Sequence, residues 1–260
     1  MKGAPPRLND GLAVDNLSVE YQGVPAASGV ELAAPVGCIT GLIGPNGAGK
    51  TTVFNAISGL VRPRSGSIRL FGVDATHFSA SRRARLGLGR TFQIVEVCDQ
   101  MTVRENVALG LEARLVGRNA VRHLRAGRVE RRAVVENTLR ALEMCGIVDL
   151  AAQTVAALST GQRRLVELAR VVACGFRLLL LDEPTSGLDS GESHQMGEIL
   201  AQIVADQGVG VLLVEHDMQL VMSICSYLYV LDFGQPIFEG TPRQVQASPE
   251  VRSAYLGVHA

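Results

Sequence analysis

The sequence predicts an α/β fold: a mostly parallel core sheet with helices on both faces and a helix-rich lobe inserted in the middle of the chain. Three observations predict it. Short apolar runs at residues 36–43, 177–181 and 209–214 have strand length and the continuous hydrophobicity of buried strands. Helical stretches separate such runs, and strands alternating with helices argue for a parallel sheet. Residues 101–173 carry few strand signals and read as mainly helical.

Taken in order, residues 12–21 are rich in β-formers and roughly alternate, so they read as a strand. The buried strand at 36–43 runs into a glycine-rich turn at 44–49. A helix then spans Lys50–Ser58, with Val53, Phe54 and Ile57 on one face, and residues 67–71 form another short strand. The helical stretch includes an arginine-rich segment at 114–140, which reads as solvated helical faces; the other reading is a contact surface for a partner or anionic lipid. The strands at 177–181 and 209–214 are separated by a helix at 190–206. A helix at 218–223, the strand Tyr227–Asp232, a strand pair crossing Gly234 and a short helical tail after Thr241 complete the chain.

Composition sets the bounds. A length of 260 residues corresponds to one or two domains. At 47% hydrophobic and 19% charged residues the chain can bury a sizeable core. Its 25 basic and 25 acidic residues cancel, so no one-sign field gathers nucleic acid, and no nucleic-acid partner is expected. A membrane-spanning helix needs ~20 apolar residues, and every apolar run here stops well short of that. The first ten residues lack an apolar stretch, so no signal peptide is expected. Cys38, Cys98, Cys145, Cys174 and Cys225 are scattered with no C-x-x-C pair, which speaks against a zinc site or disulfide framework and fits a reducing compartment.

The segment Gly44-Pro45-Asn46-Gly47-Ala48-Gly49-Lys50-Thr51 fits G-x-x-x-x-G-K-[ST], with an apolar strand before it and a helix after it. Glycines let backbone amides converge on phosphate oxygens, and the helix N-terminus adds unsatisfied N–H groups. Arginine supplies 23 of the 25 basic residues, so a lysine at position 50 stands against the habit of the chain. Its point charge suits the β- and γ-phosphates, and the Thr51 hydroxyl suits Mg²⁺. Residues 178–181 then form a leucine run ending in Asp182 and Glu183. Asp182 is expected beside the phosphate loop, reaching Mg²⁺ through water, and Glu183 is expected to polarise the attacking water.

Beyond the phosphate loop, the order of motifs resembles the ATP-binding subunit of an ABC transporter. Leu158-Ser159-Thr160-Gly161-Gln162 is similar to that family's signature, Ser186-Gly187-Leu188-Asp189 to its D-loop, His216 to its switch histidine, and Gln93 in Arg90-Thr91-Phe92-Gln93 to its Q-loop glutamine. Tyr21 ends the first strand where the family places an aromatic against adenine; otherwise it is an ordinary sheet aromatic. The signature also reads physically: Ser159 and Gln162 have capping-box spacing, and Leu165, Leu168, Ala169 and Val172 give an apolar helical face. The resemblance covers roughly residues 12–257 and implies a P-loop NTPase of the ABC ATPase type. Its core sheet would be mostly parallel, with an N-terminal antiparallel β portion and an inserted helical subdomain. The expected organisation is a flexible N-terminus (1–11), a nucleotide-binding core in two parts (12–91 and 174–240), the helical subdomain with the signature (92–173) and a helical tail (241–260).

The resemblance further implies ATP and Mg²⁺ as cofactors. Tyr21, residues 44–51, Thr52 and the signature residues Ser159, Thr160, Gly161 and Gln162 would bind nucleotide. Thr51, Gln93 and Asp182 would hold the metal, and Glu183, His216 and Gln93 would serve catalysis. The signature acts on the γ-phosphate of the opposite subunit, so a second ABC ATPase, identical or not, is an expected partner. Thr160 departs from the usual glycine, and its β-branched side chain is expected to crowd that shared site and to prefer negative φ.

Several stretches narrow the resemblance to branched-chain amino acid uptake ATPases and their amide or urea relatives. Among them are residues 39–44, 90–93, 101–107, 214–218, 231–234 and 254–257. Membrane permease subunits, an external solute-binding protein acting indirectly, and a peripheral location on the cytoplasmic face of the inner membrane follow. Gln93 and residues 95–97 are expected to relay motion to the permease. A GTPase is excluded because Lys2 and Lys50 are the two lysines and neither can form Asn-Lys-x-Asp. A small-molecule kinase leaves 158–162 unexplained. A non-transport ABC ATPase and a regulatory nucleotide-binding module without turnover are the remaining alternatives.

Overall fold

The computed structural model describes residues 10–91, 97–118 and 128–256. The chain opens with β1 (Gly11–Tyr21), β2 (Val24–Pro35) and β3 (Ile39–Ile43). Helix α1 (Lys50–Ser58), β4 (Ser65–Leu70), β5 (Val73–Asp74), α2 (Ala80–Leu86) and β6 (Leu88–Arg90) follow. The helical stretch contains α3 (Val103–Arg118), α4 (Arg128–Met144) and α5 (Thr160–Ala173). Then come β7 (Leu178–Asp182), α6 (Ser190–Gln207), β8 (Gly210–Val214) and α7 (Met218–Ile224). The chain ends in β9 (Tyr227–Asp232), β10 (Gln235–Gly240), α8 (Pro242–Ala247) and α9 (Pro249–Leu256). None of the described helices is long and apolar enough to cross a membrane.

Two sheets result. An antiparallel sheet of order β2-β1-β4-β5 lies against a core sheet of order β10-β9-β3-β8-β7-β6. Within the core sheet β3, β6, β7, β8 and β9 pair in parallel, and only β10 runs antiparallel. Leu178 and Leu180 of β7 face one hydrophobic cluster, shared with α1 and the antiparallel sheet; Leu179 and Leu181 face the other, shared with α5 and α6. Side chains alternate across a strand, so a strand covered on both sides must be apolar throughout. That is why β3, β7 and β8 read as unbroken runs.

The structure corrects several boundaries. Residues 36–38 form the turn before β3, with Gly37 at φ 73°, so the strand begins at Ile39. Strand β2 is absent from the sequence reading because Pro25, Gly29, Pro35 and its alanines have low strand propensity. It exists through its long register with β1, at an edge of the sheet where proline is tolerated. Helix α2 and strand β6 were likewise unforeseen; α2 carries Arg82, Arg83 and Arg85 rather than an apolar period.

One of those arginines is structural. Arg83 is 1% exposed, and its guanidinium donates to the carbonyls of Ala56 (2.5 Å), Ile57 (2.6 Å), Thr76 (3.0 Å) and Phe78 (3.1 Å). Ala56 and Ile57 belong to the last turn of α1, so a cation meets the negative end of the helix, adding to the Gly59 amide at Ala56 O. Burial pushes its pKa down to about 10, which leaves it charged at neutral pH. Replacing it strands several buried acceptors at once. Arg83→Ala should lower stability by about 3 kcal/mol, read as a shift in the urea unfolding midpoint, and Arg83→Lys should recover only part of the loss because one ammonium cannot span the same four carbonyls.

Candidate functional site

The site is built at the edge where the parallel strands end. The chain leaves β3 and turns at Gly44, where φ is 151° and an added Cβ would sit 2.1 Å from the Leu231 carbonyl oxygen of β9. Gly49 caps α1 at φ 92° with no side-chain cap, so the leading amides of the helix face the loop. The loop is braced from outside: Gly234 N donates to Ala48 O (3.1 Å), and Ser28 N donates to Gly234 O (2.8 Å). The turn between β9 and β10 and strand β2 therefore hold it in shape.

Lys50 is buried within this loop, donating from Nζ to the carbonyls of Gly44 (2.6 Å) and Pro45 (2.8 Å). Burial lowers its pKa, while the nearby Glu183 and Asp182 carboxylates push the other way. Asp182, 3% exposed at the end of β7, has its pKa raised by burial, and Arg90 opposes that shift. Arg90 Nη2 lies 3.4 Å from Asp182 Oδ2, and Nη1 donates to Asn55 Oδ1 (2.8 Å) and Ser58 Oγ (2.7 Å) of α1. A guanidinium thus ties the end of β6 to α1 and to the buried carboxylate.

Glu183 adopts a left-handed backbone, φ 49°, and its amide donates to Val214 O (2.9 Å). For a residue with a side chain that conformation stores strain of order 1 kcal/mol. His216 follows β8 with its side chain 63% exposed. Its neighbour Glu215 is buried and accepts from Thr185.

An open cavity of about 470 Å³ gathers Asn46, Gly47, Ala48, Gly49, Lys50, Thr51, Thr52 and Glu183, together with Pro25, Ala26, Phe233 and Gly234. Asp182 does not line this cavity, but its charge acts on Lys50. Tyr21, exposed at the end of β1, and His216 do not line the cavity, and Gln93 with residues 95 and 96 lies outside the described residues. The signature residues are elsewhere again. Ser159 Oγ accepts from Gln162 N (3.2 Å) and Gln162 Oε1 accepts from Ser159 N (3.0 Å), the expected capping box at the start of α5. Ser159, Gly161 and Gln162 line a separate cavity of about 290 Å³ with Leu188 and Glu192.

Thr160 has the negative φ expected of a β-branched residue. It is the first residue of α5, outside the positive-φ residues, and exposed, so a β-branched residue fits its backbone there. Gly161 is the tight position, since an added Cβ would lie 2.6 Å from Glu192 Oε1. Sequence reasoning missed Arg90, Thr185 and Glu215, whose partners are distant in sequence, and Phe233. For the last, the available signal was an aromatic beside a glycine; the structure places Phe233 in a tight turn at φ 42°, 78% exposed.

Comparison with known proteins bears on this geometry. A family model described as ABC transporter matches residues 27–186, and one described as branched-chain amino acid ATP-binding cassette transporter matches residues 235–260. The high-affinity branched-chain amino acid transport ATP-binding protein BraF of Pseudomonas aeruginosa is 37% identical, covering 95% of this chain and 97% of that protein. Its counterpart LivG of Escherichia coli is 35% identical, with coverage of 95% and 97%. Among solved structures, the ADP conformation of MJ1267, an ATP-binding cassette of an ABC transporter, superposes with a TM-score of 0.83 at 28% identity, covering 95% of this chain and 99% of that one. CbiO1 of Clostridium perfringens, part of the ABC transporter complex cbiONQ, gives 0.81 at 27% identity, with 96% of each chain covered.

The loop geometry yields a graded expectation. Gly44→Ala drives a methyl into the main chain of β9 and should lower stability by about 3 kcal/mol. Gly47→Ala, at φ 81° with nothing within 4 Å of the new atom, should cost only about 1 kcal/mol. Urea unfolding of the two variants checks the order.

Proposed function

The chain belongs to the ABC transporter family, among its branched-chain amino acid ATP-binding cassettes, and from that premise we propose how its residues work and what they serve. It is the ATPase that drives import of branched-chain or related amino acids. The observation that carries the reading is the gathering of Lys50, Thr51 and Glu183 at one glycine-lined cavity, with the Asp182 charge acting on Lys50.

ATP lays its β- and γ-phosphates against the loop amides, the N-terminal end of α1 and Lys50. The donor set suits Mg²⁺: the Thr51 hydroxyl and the Asp182 carboxylate are hard oxygen ligands, and a divalent ion would add to the Arg90 and Lys50 charges that already act on the buried Asp182. Bound there, the ion would neutralise charge on the phosphates. Glu183 orients and polarises the attacking water, and His216 donates a hydrogen bond to the γ-phosphate. Within one chain the signature helix and the phosphate cavity share no lining residue, which fits a second ABC ATPase supplying the signature from across a head-to-tail pair. ATP favours the closed pair because only that state offers both surfaces, and this difference in affinity does the conformational work.

The permease contact is assigned to a groove of about 370 Å³ between α2, α3 and α5, beside Arg90 and Thr91. Arg85, Arg114 and Arg170 border it together with Val171 and Phe176, a surface suited to an acidic segment with one apolar face. The permease holds the chain on the cytoplasmic face of the membrane, and the solute-binding protein acts on the far side.

Glu183→Gln should retain ATP binding, cut turnover at least a hundredfold and accumulate the closed pair, checked by phosphate release and gel filtration with ATP. Lys50→Ala should weaken ATP binding measured by calorimetry by at least tenfold; normal affinity would contradict the cradle. Arg85→Glu should leave ATP binding intact and reduce co-purification with the permease subunits, while transport assays with leucine against urea identify the solute class.

A further inference from the structure

The loops that follow β7 and β8 meet on one buried carboxyl group. Glu215 is 1% exposed. Its Oε1 accepts from the Thr185 amide (2.9 Å) and from the Thr185 hydroxyl (2.7 Å), and its Oε2 accepts from the His216 amide (3.1 Å). The same Oε2 lies 3.8 Å from His216 Nδ1. At the root of the two loops, Glu183 N donates to Val214 O (2.9 Å), which fastens their first residues together.

Thr185 passes the contact on. Its carbonyl accepts from Leu188 N (3.0 Å), and the Asp189 side chain that follows caps α6 through Glu192 N (2.8 Å). A continuous chain of hydrogen bonds and bonded neighbours therefore runs from His216 through Glu215 and Thr185 to the 186–189 segment. The choice of residue follows from the donors. Three N–H and O–H groups point at this side chain, and a carboxylate accepts with both oxygens. Glutamine would keep one oxygen for Thr185 but turn an NH₂ toward the His216 amide, donor against donor. In a site closed to water that mismatch has no outlet.

We infer that Glu215 is a positioning residue: it sets the direction in which His216 is presented and locks that presentation to the loop carrying Glu183 and Asp189, so that displacement of one loop moves the other. Glu215 does not line the nucleotide cavity and acts only through its neighbours. The inference rests on the proposed roles of His216 and Glu183 in ATP turnover.

The test combines kinetics of the assembled transporter with histidine resonances of the chain. Glu215→Gln should lower kcat for ATP about tenfold with KM for ATP within twofold. Thr185→Val, which removes the hydroxyl and keeps the amide, should lower kcat about threefold, and Thr185→Ser should restore it. The double variant Glu215→Gln/Thr185→Val should lose less than the product of the two single effects, because both act through one carboxyl. In a chain labelled with ¹⁵N-histidine, the His216 signal should shift in both single variants while those of His77 and His194 stay in place. Unchanged kcat in Glu215→Gln, a loss confined to KM, or multiplying effects would overturn the inference. Should Glu215→Gln fail to fold, the Thr185 pair decides: an unmoved His216 signal in Thr185→Val is equally fatal. A His216→Ala chain with wild-type turnover would overturn the proposed role of His216 itself. That failure is separable, because the resonance shift does not depend on turnover.

Discussion

Parallel pairing makes β3, β6, β7, β8 and β9 end on one edge of the core sheet, and each leaves that edge carrying part of the site. The glycine loop follows β3, Arg90 closes β6, Asp182 and Glu183 lie at the end of β7, Glu215 and His216 follow β8, and Phe233 follows β9. Residues far apart in the chain converge because strand register brings their loops together. Register itself is enforced by burial on both faces. A one-residue slip of β7 would exchange the leucines serving the two hydrophobic clusters and move Asp182 off the edge.

Helix α1 is the second organising element, and its two ends are treated differently. At its C-terminal end the Arg83 guanidinium donates to the last-turn carbonyls of Ala56 and Ile57. At its N-terminal end no side chain caps the amides. The positive end of the helix is thus left for an anion while the negative end is neutralised within the fold. Arg90 adds a lateral brace from Asn55 and Ser58 to Asp182, which ties the helix proposed to receive phosphate to the carboxylate proposed to hold metal. In this low-dielectric setting Lys50, Asp182 and Arg90 depend on one another, since each would be costly to bury alone.

How much of this was legible in the sequence depended on whether the signal was local. The span Lys50–Ser58 could be read because a glycine loop and a lysine fix its start. Tyr227–Asp232 could be read because it is apolar and ends at an Asp-Phe-Gly turn. Strand β2 could not, because alanine, glycine and proline carry no strand preference and its existence rests on pairing with β1. The capping box at Ser159 and Gln162 was visible from a spacing of three residues. Arg90 meeting Asp182, and Thr185 meeting Glu215, were invisible, because nothing in the local pattern of either partner announces the other. The backbone of Thr160 is set by the helix it begins, which makes the negative φ that a β-branched residue prefers the ordinary state there.

The torsion at Glu183 has a wider meaning. Glycine or asparagine would suit a left-handed residue better, so the peptide unit that carries the proposed base is one that selection for heat tolerance alone would rewrite. Relaxing it would remove the strain together with the carboxylate proposed to polarise water. Durability and the proposed work output thus pull in opposite directions at a single α-carbon.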